Sequence, residues 1–200
     1  MNRKSLVGLS AMLALTLSAC GTQTPTDANI SPSRSVSPQP TDTPAPADIT
    51  PINGDNWLSN EASKSRSDAA TYDSLLTDLR LTEHDTFYRA VLQFQGQEEP
   101  AWYVTWSTEP ISEGSGNPLE VPGNKFLAIS ITGMTVPETE EQLASYYQGP
   151  STLTTGPVTL VYDTTFEGSG TFYIGLIEKH DFQVGLLQNP MRVVIDITKD

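Results

Sequence analysis

Met191-Arg192-Val193-Val194-Ile195-Asp196-Ile197 decides the fold of this chain. Successive side chains on a β-strand point to opposite faces. Val193, Ile195 and Ile197 therefore share one face, and Arg192, Val194 and Asp196 share the other. A segment that is apolar on one phase of a two-residue period is a half-buried strand. Residues four apart on a strand are separated by about 13 Å. Arg192 and Asp196 therefore cannot pair with each other and must look to neighbouring strands, as in a cross-strand ion pair.

The same period recurs upstream. Leu75, Leu79 and Leu81 fall on one phase, then Ala90, Leu92 and Phe94, then Trp102, Val104 and Trp106. Leu127, Ile129 and Ile131 follow, then Val158, Leu160 and Tyr162, Phe172, Ile174 and Leu176, and Phe182, Val184 and Leu186. Turn formers separate these runs: Gly96, Glu109-Pro110, Gly114-Ser115-Gly116-Asn117-Pro118, Pro122-Gly123-Asn124, Gly149-Pro150, Gly168-Ser169-Gly170 and Asn189-Pro190. About eight short strands so spaced predict an all-β domain over residues 72–200, an antiparallel sandwich or barrel-like fold. Residues 138–147 follow Pro137, carry acids in the first turn and stop before Gly149-Pro150. They fit one helix, and a loop bounded by glycine and proline would read the same way. Two stretches look alike, Glu83-His84-Asp85-Thr86-Phe87 and Glu178-Lys179-His180-Asp181-Phe182. They read as a duplicated hairpin, or as a turn dipeptide used twice.

The chain before residue 72 has a different character. Asn2-Arg3-Lys4 is a positive start, and Leu6 to Leu17 is an apolar run too short for a bilayer, which needs roughly 20 residues. Leu17-Ser18-Ala19-Cys20 ends it with the only cysteine in the chain. Those four residues resemble the lipobox of bacterial lipoproteins. The resemblance implies removal of residues 1–19 and a diacylglyceryl group on Cys20, whose two chains anchor a protein stably where one does not. The expected localisation is thus the extracytoplasmic face of the cell membrane, with the membrane itself as a partner. Residues 20–71 are rich in Pro, Ser and Thr, and too poor in apolar surface to offset their conformational entropy. They read as a disordered tether, with Asn56-Trp57-Leu58 as its one apolar spot.

Eleven basic residues face 24 acids, a net charge of −13. Loss of Arg3 and Lys4 with the signal would make it −15. Such a chain repels nucleic acid and anionic polymers. Lipidation of Cys20 leaves no thiol for a disulfide or for catalysis. Gly114-Ser115-Gly116 lacks the spacing of a nucleophile elbow. His84 and His180 are the only histidines, and no zinc, calcium or nucleotide motif is present. The reading is a non-enzyme without metal or cofactor. A glycan-binding surface needs aromatic platforms. Trp102 and Trp106 share a face with Val104 and are either core or platform, while Tyr103 points the other way. Tyr146 and Tyr147 lie beside the Gly149-Pro150 loop, and His84 and Arg89 complete the candidate ligand contacts.

His84-Asp85-Thr86-Phe87-Tyr88-Arg89-Ala90-Val91-Leu92-Gln93-Phe94 resembles the opening strand pair of the AMIN-like domain of actinobacterial lipoproteins. Gly114 to Gly123 resembles its glycine-rich loop, and Tyr147-Gln148-Gly149-Pro150 and Phe166-Glu167-Gly168 recur there. Pro190 to Asp196 resembles its closing strand. Tyr88 departs, standing where an acid is expected before the arginine. The related AMIN domain is a β-sandwich that targets wall amidases and secretins to the envelope, with peptidoglycan as the proposed ligand. The resemblance implies no catalytic activity and assigns no functional residues. The expected function is that of an envelope adaptor contacting peptidoglycan or a wall protein. Capture of an extracytoplasmic small ligand is the alternative, and a wall hydrolase a more distant one.

Overall fold

Among the described residues, eleven strands form two facing sheets. The computed structural model describes residues 49–66 and 71–199. Residues 1–48 lie outside the described residues, and with them the expected signal, Cys20 and most of the tether. In chain order the elements are β1 (Glu61–Lys64), β2 (Ser74–Glu83), β3 (Phe87–Gln95), β4 (Ala101–Ser107), β5 (Lys125–Thr132) and β6 (Met134–Thr135), followed by α1 (Glu140–Ser145). Then come β7 (Thr152–Thr155), β8 (Val158–Phe166), β9 (Ser169–Leu176), β10 (Phe182–Leu187) and β11 (Met191–Thr198). One sheet has the order β1-β4-β5-β9-β8-β7 and the other β10-β11-β3-β2-β6. All pairings are antiparallel except the two-residue contact of β2 with β6.

The eight strands expected from periodicity are β2, β3, β4, β5, β8, β9, β10 and β11. Each brings its predicted phase inward, with one partial exception. Leu92, Ile129, Ile174, Val193 and Ile195 belong to one core cluster between the sheets, together with Leu160 and Phe172. In β2 a bulge between Leu76 and Asp78 shifts the phase. Leu76 and Leu79 enter the core cluster and Leu81 packs against it, whereas Leu75 is buried outside it. A bulge adds one residue, so the inward set on one side of it moves by one position.

One open alternative is settled and one expectation is corrected. The look-alike stretches around His84 and His180 are not a duplicated hairpin. β2 and β3 pair within one sheet, but β9 and β10 belong to different sheets, so the second stretch is a crossover. The folded body also begins well before residue 72. Residues 49–58 run across the outer face of β10, β11 and β3, and β1 extends the six-stranded sheet along β4.

Polar clamps hold this N-terminal strap. The Ile52 amide donates to Asp196 Oδ2 (2.7 Å), and the Asn53 amide donates to Gln183 Oε1 (2.8 Å). Gln183 Nε2 donates to the Gly54 carbonyl (2.6 Å), and Arg89 Nη2 to that of Thr50 (2.7 Å). Gly185 is required beneath the strap, because a Cβ there would lie 2.4 Å from Ile52 Cγ1. Leu58 bridges to Phe182, and Trp57 is partly buried.

The expected helix over 138–147 is present but shorter. Thr139 caps it in a capping box with Gln142, and Glu140 and Glu141 sit in its first turn, where the helix dipole favours acids. The Tyr147 amide then donates to the Leu76 carbonyl at 2.9 Å and ties the segment to β2.

Candidate functional site

The outward phases of β4, β5 and β9 lie side by side on the six-stranded sheet. Register places Tyr103 opposite Ser130, and Ser130 opposite Thr171. The next outward row is Thr105, Ala128 and Tyr173. Strands are about 4.8 Å apart, so each row of three side chains spans about 10 Å.

The glycine-rich loop between β4 and β5 roofs these rows. Tyr173 holds the loop down. Its buried hydroxyl donates to the Ile111 carbonyl at 2.9 Å and accepts from the Ile111 amide at 3.1 Å. The loop closes on itself through Ile111 and Pro118, which bridge, and through the Ser112 amide, which donates to the Asn117 carbonyl at 2.8 Å. Further along, Pro122 passes so close to β9 that a Cβ at Gly175 would lie 2.0 Å from its carbonyl oxygen. The Glu113 amide donates to Asp163 Oδ2 at 3.1 Å, and the Glu113 carboxylate accepts from the Thr171 hydroxyl.

Between sheet and roof lies an open groove of about 300 Å³. It is lined by Tyr103, Thr105, Ile111, Glu113, Ser130 and Tyr173, among others, and by no lysine or arginine. Tyr103 is 48% exposed, and its hydroxyl donates to Glu61 Oε2 at 3.0 Å. The groove thus offers an aromatic ring, a carboxylate and several hydroxyls.

Of the side chains expected to meet a ligand, Tyr103 alone lines this groove. Trp102 and Trp106 face inward and pack against the core. Trp106 Nε1 donates to the Ser59 carbonyl at 3.0 Å, and its ring meets Phe182 edge-on at 6.3 Å. Lys64 sits over the Trp102 ring at 5.2 Å. Tyr146 and Tyr147 belong to the α1 side. The Tyr146 hydroxyl is 3.0 Å from that of Tyr162, which stacks on Phe172. The Tyr147 hydroxyl donates to the Pro150 carbonyl at 2.9 Å, and burial raises its pKa, with the charge of Asp78 adding to it. His84 stacks on Phe87 and contacts Thr82 at 3.2 Å. Arg89 is buried, with its guanidinium on both oxygens of Asp196 at 2.7 Å. His180 borders a separate charged groove with Glu178, Lys179, Asp181 and Lys199.

Sequence reasoning missed Thr105, Glu113, Ser130, Thr171 and Tyr173. Tyr173 and Thr171 had a signal, since both alternate with the inward Phe172 and Ile174. Nothing local marks Glu113, which reaches the sheet only through the fold of its loop. Among the described residues, no group of three or more His, Cys, Asp or Glu side chains could hold a metal ion. No helix among them is long and apolar enough to cross a membrane.

Two packed sheets with an open groove on an outer face define an antiparallel β-sandwich with a surface site. Residues 74–199 match the AMIN-like domain, and the chain belongs to that family. The match begins at β2, so the strap and β1 lie upstream of it. No curated protein and no solved structure matches the chain.

Proposed function

We propose that this chain is a lipid-anchored envelope protein whose AMIN-like domain binds peptidoglycan without catalysis. Family membership supports an extracytoplasmic binding role, and Leu17-Ser18-Ala19-Cys20 supports an anchor on Cys20 at the outer face of the cell membrane. The observation that carries the binding role is the Tyr103-Ser130-Thr171 row beneath Glu113. A pyranose has a flat apolar face and a rim of hydroxyls. The half-exposed Tyr103 ring suits the first, and the Ser130, Thr105 and Glu113 oxygens suit the second. The groove is open on a sheet face rather than enclosed, which fits a polymer better than a captured small molecule.

Co-sedimentation of the soluble chain with purified wall sacculi tests this reading. The chain should sediment with sacculi, and Tyr103→Ala should lower the bound fraction about tenfold, the scale of one lost aromatic contact. Sedimentation unchanged by Tyr103→Ala would move the contact elsewhere on the surface. A chain that ignores sacculi but captures a wall-associated protein would make that protein the partner.

A further inference from the structure

We propose that the Tyr103 groove recognises a primary ammonium group, a proposal that rests on the wall-binding reading and narrows it. Three features of the groove agree on a cation. Its one charged lining residue is Glu113, and no lysine or arginine lines the groove to neutralise that carboxylate. A hydrogen bond from the neighbouring Thr171 hydroxyl orients it without cancelling its charge. The second feature is the Tyr103 ring, 48% exposed and presented at the same groove. The face of an aromatic ring attracts an ammonium through its quadrupole. The Tyr103 hydroxyl donates to the Glu61 carboxylate at 3.0 Å, which holds the ring in place at the groove. Third, register puts Glu61 opposite Thr105, so a second carboxylate stands at the end of the groove's own row.

A ligand carboxylate entering here would meet Glu113 and Glu61 with like charge, whereas an ammonium would have a ring and a carboxylate to bind. The chain's net charge of −13 adds long-range attraction for cations. Thr105 and Ser130 complete the polar rim for the atoms around the amine. Two sources carry this chemistry: the 2-amino group of a de-N-acetylated glycan, and the side-chain amine of a diamino acid in a wall peptide.

The test uses the soluble chain and sacculi split into two portions, one of them N-acetylated with acetic anhydride. Capping the amines should lower the bound fraction about tenfold, as expected when a cation–π contact and a charge-assisted hydrogen bond are lost together. Equal sedimentation with both portions would sink the ammonium proposal and leave wall binding standing. Failure to sediment with either would sink the wall-binding reading, and small probes then decide the ammonium question. Chitosan oligomers are titrated against their N-acetylated counterparts, and Nα-acetyl-lysine amide against Nα,Nε-diacetyl-lysine amide, following chemical shifts of the protein. Preference for chitosan points to the sugar amine and preference for the lysine derivative with a free Nε to the peptide amine. No preference for either amine overturns the proposal. Glu113→Gln should remove the preference while leaving the spectrum of the fold unchanged, and a variant that still discriminates would also overturn it.

Discussion

At the scale of single residues, Arg89 and Asp196 show how a charge is carried inside this domain. They sit directly opposite on β3 and β11, on the outer face of the five-stranded sheet. The residues of the strap cover them, and Asp196 is fully buried. The alternation of the last strand placed Asp196 outward and called for a cross-strand partner, and Arg89 is that partner. Removing one member of a buried pair leaves the other charged without compensation, which costs about 3–5 kcal/mol. Asp196→Ala should therefore lose that amount in urea denaturation, out of about 5–15 kcal/mol for a domain of this kind. The double variant Arg89→Met, Asp196→Leu should recover part of it, and a double variant no better than the single one would contradict this account.

Tyr162 gives a pH dependence at the same scale. Burial raises its pKa well above the ordinary 10.0, the hydrogen bond to Thr165 works against that rise, and Tyr146 adds to it. The unfolded chain releases this proton near the ordinary value, while the folded chain keeps it. Stability is then complete below about pH 10 and falls as pH climbs further, because the unfolded state binds fewer protons. Tyr162→Phe should flatten that alkaline decline, as read from thermal melts between neutral and alkaline pH. Identical slopes would mean that Tyr162 ionises freely in the fold.

At the scale of elements, the strap and β1 separate what composition indicates from what pairing allows. Residues 49–66 carry little apolar surface, so they read as tether. They are held instead by main-chain bonds to Gln183, Asp196 and Arg89, and by strand pairing to β4. Trp106, inward on β4, gains a partner in Ser59 through the same segment. A soluble chain beginning at residue 49 should melt with the longer soluble chain that begins at residue 21. One beginning at residue 66 should melt several degrees lower, since about 1 kcal/mol moves the midpoint of a domain this size by roughly 2–8 °C. Equal midpoints for all three would show that the strap contributes nothing to stability.

At the scale of the whole molecule, the question is where the domain is held. The proposed anchor on Cys20 is supported by a positive start, a short apolar run and Leu17-Ser18-Ala19-Cys20. Cys20→Ala should release the protein from the membrane fraction and leave it at precursor size. Membrane fractionation and gel mobility measure both, and an alanine variant that still partitions with membranes at mature size would refute the anchor.

Periodicity alone was enough to determine an all-β domain and its eight long strands, because alternation is a local property that a strand cannot hide. The three strands it missed, β1, β6 and β7, are two to four residues long and too short to display a period. Tertiary structure decided the partition into two sheets, so that one His-Asp turn closes a hairpin while the other crosses between sheets. It also decided the strap, the Arg89–Asp196 pair and the Tyr103 groove. Each joins residues remote in sequence: Ile52 with Asp196 across 144 positions, Arg89 with Asp196 across 107, and Glu113 with Thr171 across 58. Alternation along a strand tells which face a side chain takes. Only strand order and register tell which other side chains share that face beside it.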